Sequence, residues 1–170
     1  GHTENLPTAV FSPDSQRVAF VAERAGKWLM VVDGAEGKEC ARVDPAVFSP
    51  DSRRVAYQAR LGGKWFVVVD GVEGKQYEDT GVGSLLFSPD SQRVAYGAER
   101  GDNWLIVVDG AEKEQYDGIG VLLFSPDSRR VAYRAKRDDN WMIVVDERRS
   151  MTGLRRPSPS SARTASVWLL

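Results

Sequence analysis

The sequence predicts an all-β protein made of repeated four-stranded antiparallel units, and three observations lead to this prediction. A ten-residue phrase close to FSPDSxRVAY occurs four times, a Trp follows each initial Phe by seventeen residues, and Val-Val-Asp ends each apolar run. The copies begin at Phe11, Phe48, Phe87 and Phe124, which gives periods of 37, 39 and 37 residues. A fixed period of roughly 20 to 50 residues is typical of stacked supersecondary units.

Each unit is predicted to contain four short strands. The first ends at the repeated Phe, and the second contains Arg-Val-Ala, where apolar and polar residues alternate. The third includes the Trp and is a nearly continuous apolar run, such as KWLMVVD from Lys27, which is typical of a strand covered on both faces. A fourth strand is expected around Tyr77 or Tyr116. Ser-Pro-Asp-Ser, Gly-containing or Asp-Asp pairs, and Asp-Gly are expected to form the turns between strands.

Units of this size, with middle strands buried on both sides, are typical of the blades of a β-propeller, because each blade covers its neighbour. The sequence therefore predicts four antiparallel blades of 37 to 39 residues in a β-propeller architecture. The blade region is residues 1–146, with blades at about 8–43, 45–80, 83–120 and 121–146. Residues 147–170 are predicted to be a separate irregular tail.

The repeated phrase, followed by an apolar strand that ends in Val-Val-Asp, resembles the WD40-like propeller repeat of the TolB family. The resemblance covers Phe11 to Asp146. The family pattern is close to FSPDG, whereas this chain has serine in place of that glycine in all four copies, at Ser15, Ser52, Ser91 and Ser128. The resemblance implies the propeller fold. For function it implies two kinds of role, because such propellers serve as docking platforms and as domains attached to enzymes.

Composition argues against nucleic-acid and membrane partners. The net charge of -1 gives no electrostatic reason to expect binding of nucleic acid or anionic lipid. No apolar run approaches the roughly 18 to 20 residues that span a membrane. The single cysteine, Cys40, excludes an internal disulfide and leaves the cellular location unknown.

The tail after Asp146 is predicted to be out of frame. The first three copies continue with Asp-Gly, whereas the fourth continues ERRSMTGLRRPSPSSARTASVWLL. If suitable codons for DGAEEYDGI lose one base, they encode DERRSMTGL, which is the sequence of residues 146–154. Likewise, suitable codons for FSPDSQRVAF, when read one base late, encode SARTASVWLL, which is the sequence of residues 161–170. The hidden fifth Phe then falls 37 residues after Phe124, at the repeat period. We therefore expect a frameshifted fifth repeat, which the DNA sequence tests, and do not interpret the arginines of the tail as a nucleic-acid patch.

No catalytic, cofactor or metal site is predicted. The single histidine, His2, follows Gly1 in what resembles the remnant of a purification tag, so a Ser-His-Asp set cannot be built. The Asp of Ser-Pro-Asp-Ser is expected to bond its own backbone. The Arg of Arg-Val-Ala is expected to pair with the Asp of that turn or with the Val-Val-Asp carboxylate, in ion pairs between blades. The repeated Trp is expected to pack in the core rather than form an aromatic binding stripe.

A docking face is predicted from the segments that join the second and third strands. They read ERAGK, RLGGK, ERGDN and KRDDN, and they vary while the strands around them do not. In a propeller they cluster around one mouth of the central channel. We expect this face to dock a protein or a small acidic ligand through Arg24, Arg60, Arg100 and Arg137. The alternative is an ordinary solvated rim.

The function predicted from these features is that of a non-catalytic interaction scaffold truncated by frameshift. Two alternatives stay open, a decayed gene product without function and the propeller part of an enzyme such as a peptidase or lyase. An open row of four blades exposes an apolar face at each end. We expect a homodimer that completes a ring of blades. The other solutions are that ASVWLL, from Ala165, adds an edge strand, or that four blades close alone.

Overall fold

The computed structural model describes residues 9–81, 84–147 and 165–169, and the regular elements in this part of the chain are β-strands. The first eight strands are β1 Ala9–Phe11, β2 Val18–Arg24, β3 Lys27–Val32, β4 Ala35–Glu36, β5 Arg42–Val43, β6 Val47–Phe48, β7 Val55–Leu61 and β8 Lys64–Val69. The others are β9 Val72–Tyr77, β10 Leu86–Phe87, β11 Val94–Arg100, β12 Asn103–Val108, β13 Ala111–Tyr116, β14 Gly118–Phe124, β15 Arg130–Arg137, β16 Asn140–Glu147 and β17 Ala165–Leu169. Within these ranges no helix has the length and apolar character needed to cross a membrane.

The strands form four antiparallel sheets, which we call blades one to four. Their orders are β1-β2-β3-β4, then β5 and β6 on β7-β8-β9, then β10-β11-β12-β13, and finally β14-β15-β16-β17. Each blade is thus a meander in which neighbours in sequence are neighbours in space. The prediction of an all-β chain with antiparallel four-stranded units is confirmed.

The blades stack face to face, and the core lies between them. Three hydrophobic clusters of described residues join blade one to two, two to three, and three to four. The third strands of the two middle blades, β8 and β12, contribute to two clusters at once, because successive side chains point to opposite faces of a sheet. In β8, for example, Phe66 lies in the first cluster and Val67 in the second, and each is 1% exposed. This explains the continuous apolar runs.

Two strands differ from the expected pattern for local reasons. The first strand of blade two is split into β5 and β6 around Pro45, which has no N–H to donate to the ladder. The fourth strand of blade one is only two residues long, and Cys40, at the place of Tyr77, forms an isolated bridge with Trp28.

The last described segment, β17, completes blade four. Its backbone pairs antiparallel with β16, from Asp146 opposite Ala165 to Met142 opposite Leu169. It occupies the outer position that β4, β9 and β13 hold in the other blades. Most of the tail that we expect to be out of frame, residues 148–164, lies outside the described part of the chain.

The Asp-Gly pairs after the third strands form tight hairpin turns. In blade two, Asp70 has φ 50° and Gly71 has φ 81°, so both residues are left-handed, as a two-residue type I′ turn requires. The same pattern holds in blades one and three. The turns therefore begin where the sequence predicts.

Candidate functional site

The Ser-Pro-Asp-Ser turn is held by its own side chains. In blade one the hydroxyl of Ser12 donates to Oδ1 of Asp14 over 2.6 Å, and the amide of Gln16 donates to the same oxygen over 3.0 Å. The Ser12 hydrogen bond is the main reason that the pKa of Asp14 lies below its usual value. The prediction that this Asp bonds its own turn is confirmed. The described residues contain no group of His, Cys, Asp and Glu that could hold a metal ion.

The Arg of Arg-Val-Ala joins its blade to the next one. Nε of Arg17 pairs with Oδ2 of Asp33 in the same blade over 2.8 Å, and Nη1 donates to the backbone carbonyls of Ser52 and Arg53 in blade two over 3.2 and 2.7 Å. The predicted pairing with a Val-Val-Asp carboxylate is confirmed, but the expectation that this ion pair joins two blades is wrong. The ion pair lies within the blade, and the contact between blades is made by neutral carbonyl groups. Arg54 and Arg93 repeat both contacts.

The serine at the end of each turn explains the departure from FSPDG. Ser91 has φ 64°, a left-handed conformation that favours glycine. Its hydroxyl accepts a hydrogen bond over 3.0 Å from the backbone amide of Asp51 in the preceding blade. Ser52 and Ser128 accept equivalent bonds from Asp14 and Asp90. A glycine would relieve the strained backbone but would lose this link between blades.

A groove opens between blades one and two on the outer side of the stack. Its volume is about 600 Å³, and its walls include Met30 and Val32 of β3 and Tyr57 of β7. The paired side chains of Arg17 and Asp33 lie at one end of the groove. The groove therefore combines an apolar floor with a charged rim, a common composition for a binding site.

An equivalent groove lies between blades two and three. It has a volume of about 450 Å³, and its walls include Val67, Val69 and Tyr96, the counterparts of Met30, Val32 and Tyr57. The repeat thus builds the same kind of groove at two junctions. These grooves were not predicted from the sequence, because each is formed by residues of two blades.

A glycine lines each groove, Gly37 directly after β4 and Gly74 in β9, and a Cβ on either one would lie 3.1 Å from a backbone carbonyl of the third strand. A Cβ on Gly37 would lie 3.0 Å from the hydroxyl of Tyr57, and a Cβ on Gly74 would lie 3.6 Å from the hydroxyl of Tyr96. Burial raises the pKa of both tyrosines, so both are protonated at neutral pH. The shared Glu-Gly-Lys in these strands was a sequence signal that could have indicated the grooves.

The grooves and the predicted docking arginines belong to opposite ends of the blades. The grooves are lined by residues of the turns that follow the first and third strands of a blade, such as Arg53 and Gly71. Arg24, Arg100 and Arg137 end the second strands, next to the turns that lead into the third strands. Because the strands are antiparallel, these turns lie at the other end of the sheet.

The charges of these three arginines are matched by nearby carboxylates. Arg24 bonds Glu36 over 2.6 Å, and Arg100 bonds both oxygens of Glu112 over 2.6 and 2.7 Å. Arg137 lies 3.5 Å from a carboxylate oxygen of Glu114. Whether these arginines dock a ligand stays a prediction, and an acidic ligand would compete with carboxylates of the chain.

Arg60 does not occupy the position of the other three arginines. It is the counterpart of Glu23 and Glu99, and Leu61 takes the place equivalent to Arg24. Leu61 packs against the cluster between blades one and two. Since consecutive strand residues point to opposite faces, Arg60 points away from that junction. The four arginines therefore do not form one equivalent set.

Glu112 is the centre of the strongest charge cluster among the described residues. Besides Arg100, it accepts a hydrogen bond from the Tyr77 hydroxyl over 3.0 Å and one from Lys75 over 3.2 Å. Arg100 is the largest cause that lowers the pKa of Glu112 to about 2. Tyr77 and Lys75 belong to blade two, so the cluster ties blade two to blade three.

The repeated Trp residues contribute to packing. Trp65 is 8% exposed, and the guanidinium of Arg42 lies 5.4 Å from its ring centroid. Trp28 packs against the cluster between blades one and two. These contacts support the prediction of core packing over an aromatic stripe.

Solved structures similar to this chain are β-propellers or contain them. The β-propeller domain of the Trilobed protease from Pyrococcus furiosus, which has an open velcro topology, is 13% identical with a TM-score of 0.51 over 82% of this chain and 53% of that chain. An acylaminoacyl peptidase in complex with Z-Gly-Gly-Phe-chloromethyl ketone is 16% identical with a TM-score of 0.51 over 83% and 31%. TolB from Acinetobacter baumannii is 15% identical with a TM-score of 0.49 over 83% and 41%.

The likeness defines the class of protein, a β-propeller repeat protein, and it extends to the fold alone. The predicted propeller fold class is confirmed by the stacked antiparallel blades together with the two structures whose TM-score is 0.51. No protein-family model and no curated protein matches the chain, so membership of the TolB family stays a prediction. The chain spans between 31% and 53% of the length of the three similar structures.

Proposed function

We propose that the chain is a non-catalytic interaction scaffold that binds extended protein segments in the grooves between its blades. One observation carries the proposal. A similar groove, lined by apolar side chains, a tyrosine and a glycine at equivalent positions, occurs at two successive junctions. A repeated site suits a ligand that is itself extended, because two neighbouring grooves can then hold one segment.

The charges around the first groove favour a segment with an acidic side chain beside an apolar one. Arg17 and Arg54 are held in ion pairs with Asp33 and Asp70. Arg53 is exposed at the rim and forms no ion pair with another described residue. Its guanidinium is therefore available to a carboxylate, while the partly exposed Val32 can contact an apolar side chain.

The second groove provides an internal comparison. Gln92 stands where the first groove has Arg53, and the other lining residues correspond in position. Replacing Arg53 by Gln therefore converts the rim of one groove into that of the other. The fold already accommodates Gln at this position.

Binding of short labelled peptides tests the proposal. The probes are peptides that alternate Leu with Glu, Leu with Lys, or Leu with Ser, and the readout is fluorescence anisotropy. We expect the Leu-Glu peptide to bind best and Arg53→Gln to weaken its binding several-fold. Arg129→Gln, a change at the counterpart position of blade four, should leave binding unchanged. Equal binding of all three peptides, or an equal effect of both variants, would contradict the proposal.

The alternative functions stay hypotheses. A decayed gene product predicts no peptide selectivity in the assay above. A propeller attached to an enzyme predicts a catalytic domain in the restored reading frame of the gene. The docking face that includes Arg60 is tested with the same peptides, since Arg60→Gln would then weaken binding.

A further inference from the structure

Each junction between blades repeats one set of contacts. The guanidinium carbons of Arg17, Arg54 and Arg93 lie 5.2, 5.4 and 5.3 Å from the ring centroids of Phe48, Phe87 and Phe124 in the following blades. These three phenylalanines are 8 to 9% exposed. Every junction therefore has a donor side, which supplies the Arg, and an acceptor side, which supplies the Phe.

Hydrogen bonds give the junction its register. The donor blade supplies Nη1 of the Arg and the backbone amide of the turn Asp, while the acceptor blade supplies two carbonyls and the hydroxyl of the turn Ser. The acceptor serines Ser52, Ser91 and Ser128 are 1 to 4% exposed. The buried hydroxyl and the fixed carbonyls make this contact specific as well as apolar.

Blade one carries an acceptor side without a donor blade among the described residues. Phe11 is 66% exposed, although its three counterparts are almost fully buried. Ser15 is also exposed, and it keeps the left-handed φ, 61°, of the serines that accept the bond between blades. The conformation of the turn that receives a preceding blade is therefore already formed. At the centre of the same face Leu29 and Val31 are 1% and 7% exposed, so the open part of the acceptor side is the end that carries Phe11 and Ser15.

Blade four carries the matching donor side. Arg130 is exposed, whereas its counterpart Arg93 is 5% exposed. Leu123 is 49% exposed, whereas its counterpart Leu86 packs against the cluster that joins blades three and four. Ala132 is partly exposed, whereas Ala95 is fully buried.

The outer edge of blade four is not the open surface. β17 pairs along β16 and supplies the fourth strand, so that edge is already hydrogen-bonded. What stays open is the flat face that carries Leu123 and Arg130. Arg134 also lies on this face, at the position held by Val21, Gln58 and Gly97 in the other blades, and its guanidinium carbon lies 4.3 Å from the ring centroid of Trp141.

We propose that blade four of one chain packs onto blade one of a second copy of this chain, through the contact set already used at the three internal junctions. Arg130 then lies over Phe11 of the second copy, and the amide of Asp127 donates to the Ser15 hydroxyl. Each copy has one donor side and one acceptor side, so two copies can satisfy both. The product is a closed ring of eight blades, at the upper end of the usual range of about four to eight.

A second copy of the chain is the expected partner because the donor side of one copy is complementary to the acceptor side of another. The donor side of blade four and the Phe11 and Ser15 end of blade one fit each other in charge and hydrogen bonding, because they repeat the two sides of junctions that exist within the chain. A different protein would need to reproduce the Phe, the strained Ser and the two carbonyls of the acceptor side. A second copy supplies all of them. This inference does not depend on the proposed peptide binding.

Sedimentation velocity and light scattering of the full chain over a range of concentrations test the inference. We expect a species of twice 18.8 kDa that does not grow further with concentration. Phe11→Glu alone and Arg130→Glu alone should each give monomers, with circular dichroism spectra like that of the wild type because both positions are exposed. Asp102→Arg, an equally large charge change in a turn of blade three, should leave the dimer intact.

Mixing the two disrupted variants gives the decisive result. A chain with Phe11→Glu keeps its donor side, and a chain with Arg130→Glu keeps its acceptor side, so one of the two junctions can form. We expect the mixture to recover pairs of chains with weaker association than the wild type. A wild type that is monomeric at all concentrations, species that grow beyond two copies, or a mixture that stays monomeric would overturn the proposal.

Discussion

The guanidinium of Arg93 lies 5.3 Å from the ring centroid of Phe124, across the junction between blades three and four. Both side chains are buried, at 5% and 9% exposure. The same guanidinium bonds Asp109 in its own blade and the carbonyls of Ser128 and Arg129 in the next. One side chain therefore holds a hairpin together and attaches it to its neighbour.

Replacing Arg93 by Met should destabilise the fold strongly. The change removes the ion pair of Asp109, which keeps its hydrogen bond from the Val94 amide, and removes the guanidinium that donates to two backbone carbonyls. Each lost bond of a charged group is worth about 1.5 to 3 kcal/mol. We expect urea denaturation to show a loss of about 2 to 4 kcal/mol, less than the sum because Met keeps the apolar contact with Phe124. Arg129→Met, at an exposed position, should change stability by less than about 0.5 kcal/mol. Similar losses for both variants would contradict this account of the junction.

Ser91 should tolerate Gly better than Ala. Ser91→Ala loses the hydroxyl that accepts from Asp51 and keeps the left-handed φ of 64°, so we expect a cost of about 1 to 3 kcal/mol. Ser91→Gly loses the same bond but relieves the backbone, which should offset about 1 kcal/mol. Thermal or urea unfolding of both variants measures the difference. If Ala proves as stable as Gly, the strained conformation of this serine does not matter to stability.

The free energy of unfolding should fall in acid because the carboxylate of Glu112 becomes protonated. Its pKa in the folded chain is lowered to about 2 from 4.5, so its ionised form stabilises the fold above pH 4.5. The stabilisation is lost as the pH falls from 4.5 to 2. We expect the free energy of unfolding of Glu112→Gln to vary less with pH over this interval than that of the wild type. Parallel pH profiles would show that the cluster of Arg100, Lys75 and Tyr77 does not stabilise the carboxylate.

Removing the ring of Phe87 should open a cavity between blades two and three. Phe87 is 8% exposed and packs in the cluster that joins these blades, so Phe87→Ala should cost about 3 to 5 kcal/mol. Val72→Ala is the control, because Val72 is 70% exposed and should cost less than about 0.5 kcal/mol. Equal midpoints of urea denaturation for the two variants would be inconsistent with a core between the blades.

The strands and turns could be predicted from the sequence because they depend on local patterns. The apolar run from Lys64 indicates β8, and Asp70-Gly71 indicates the turn after it. The split first strand of blade two was not predicted, since the effect of Pro45 on the ladder depends on which strand pairs with it. The shortened fourth strand of blade one, where Cys40 replaces a tyrosine, was also missed.

The grooves and the contacts between blades could not be predicted in the same way. Arg54 reaches carbonyls that are 37 and 38 residues away in sequence, and only the stacking of blades brings them together. The docking face was predicted by residue type, so Arg60 was grouped with Arg24 although the two differ in register by one residue. A comparison of positions relative to the repeated Phe would have separated them.

In the proposed dimer, the four blades of one chain form half of a ring that a second copy closes. Image averages of the purified full chain in negative stain, viewed along the ring axis, test this claim most directly. We predict a closed ring with eight radial units, twice the number of sheets in one chain. Averages that show an open arc or a ring of four units would contradict it.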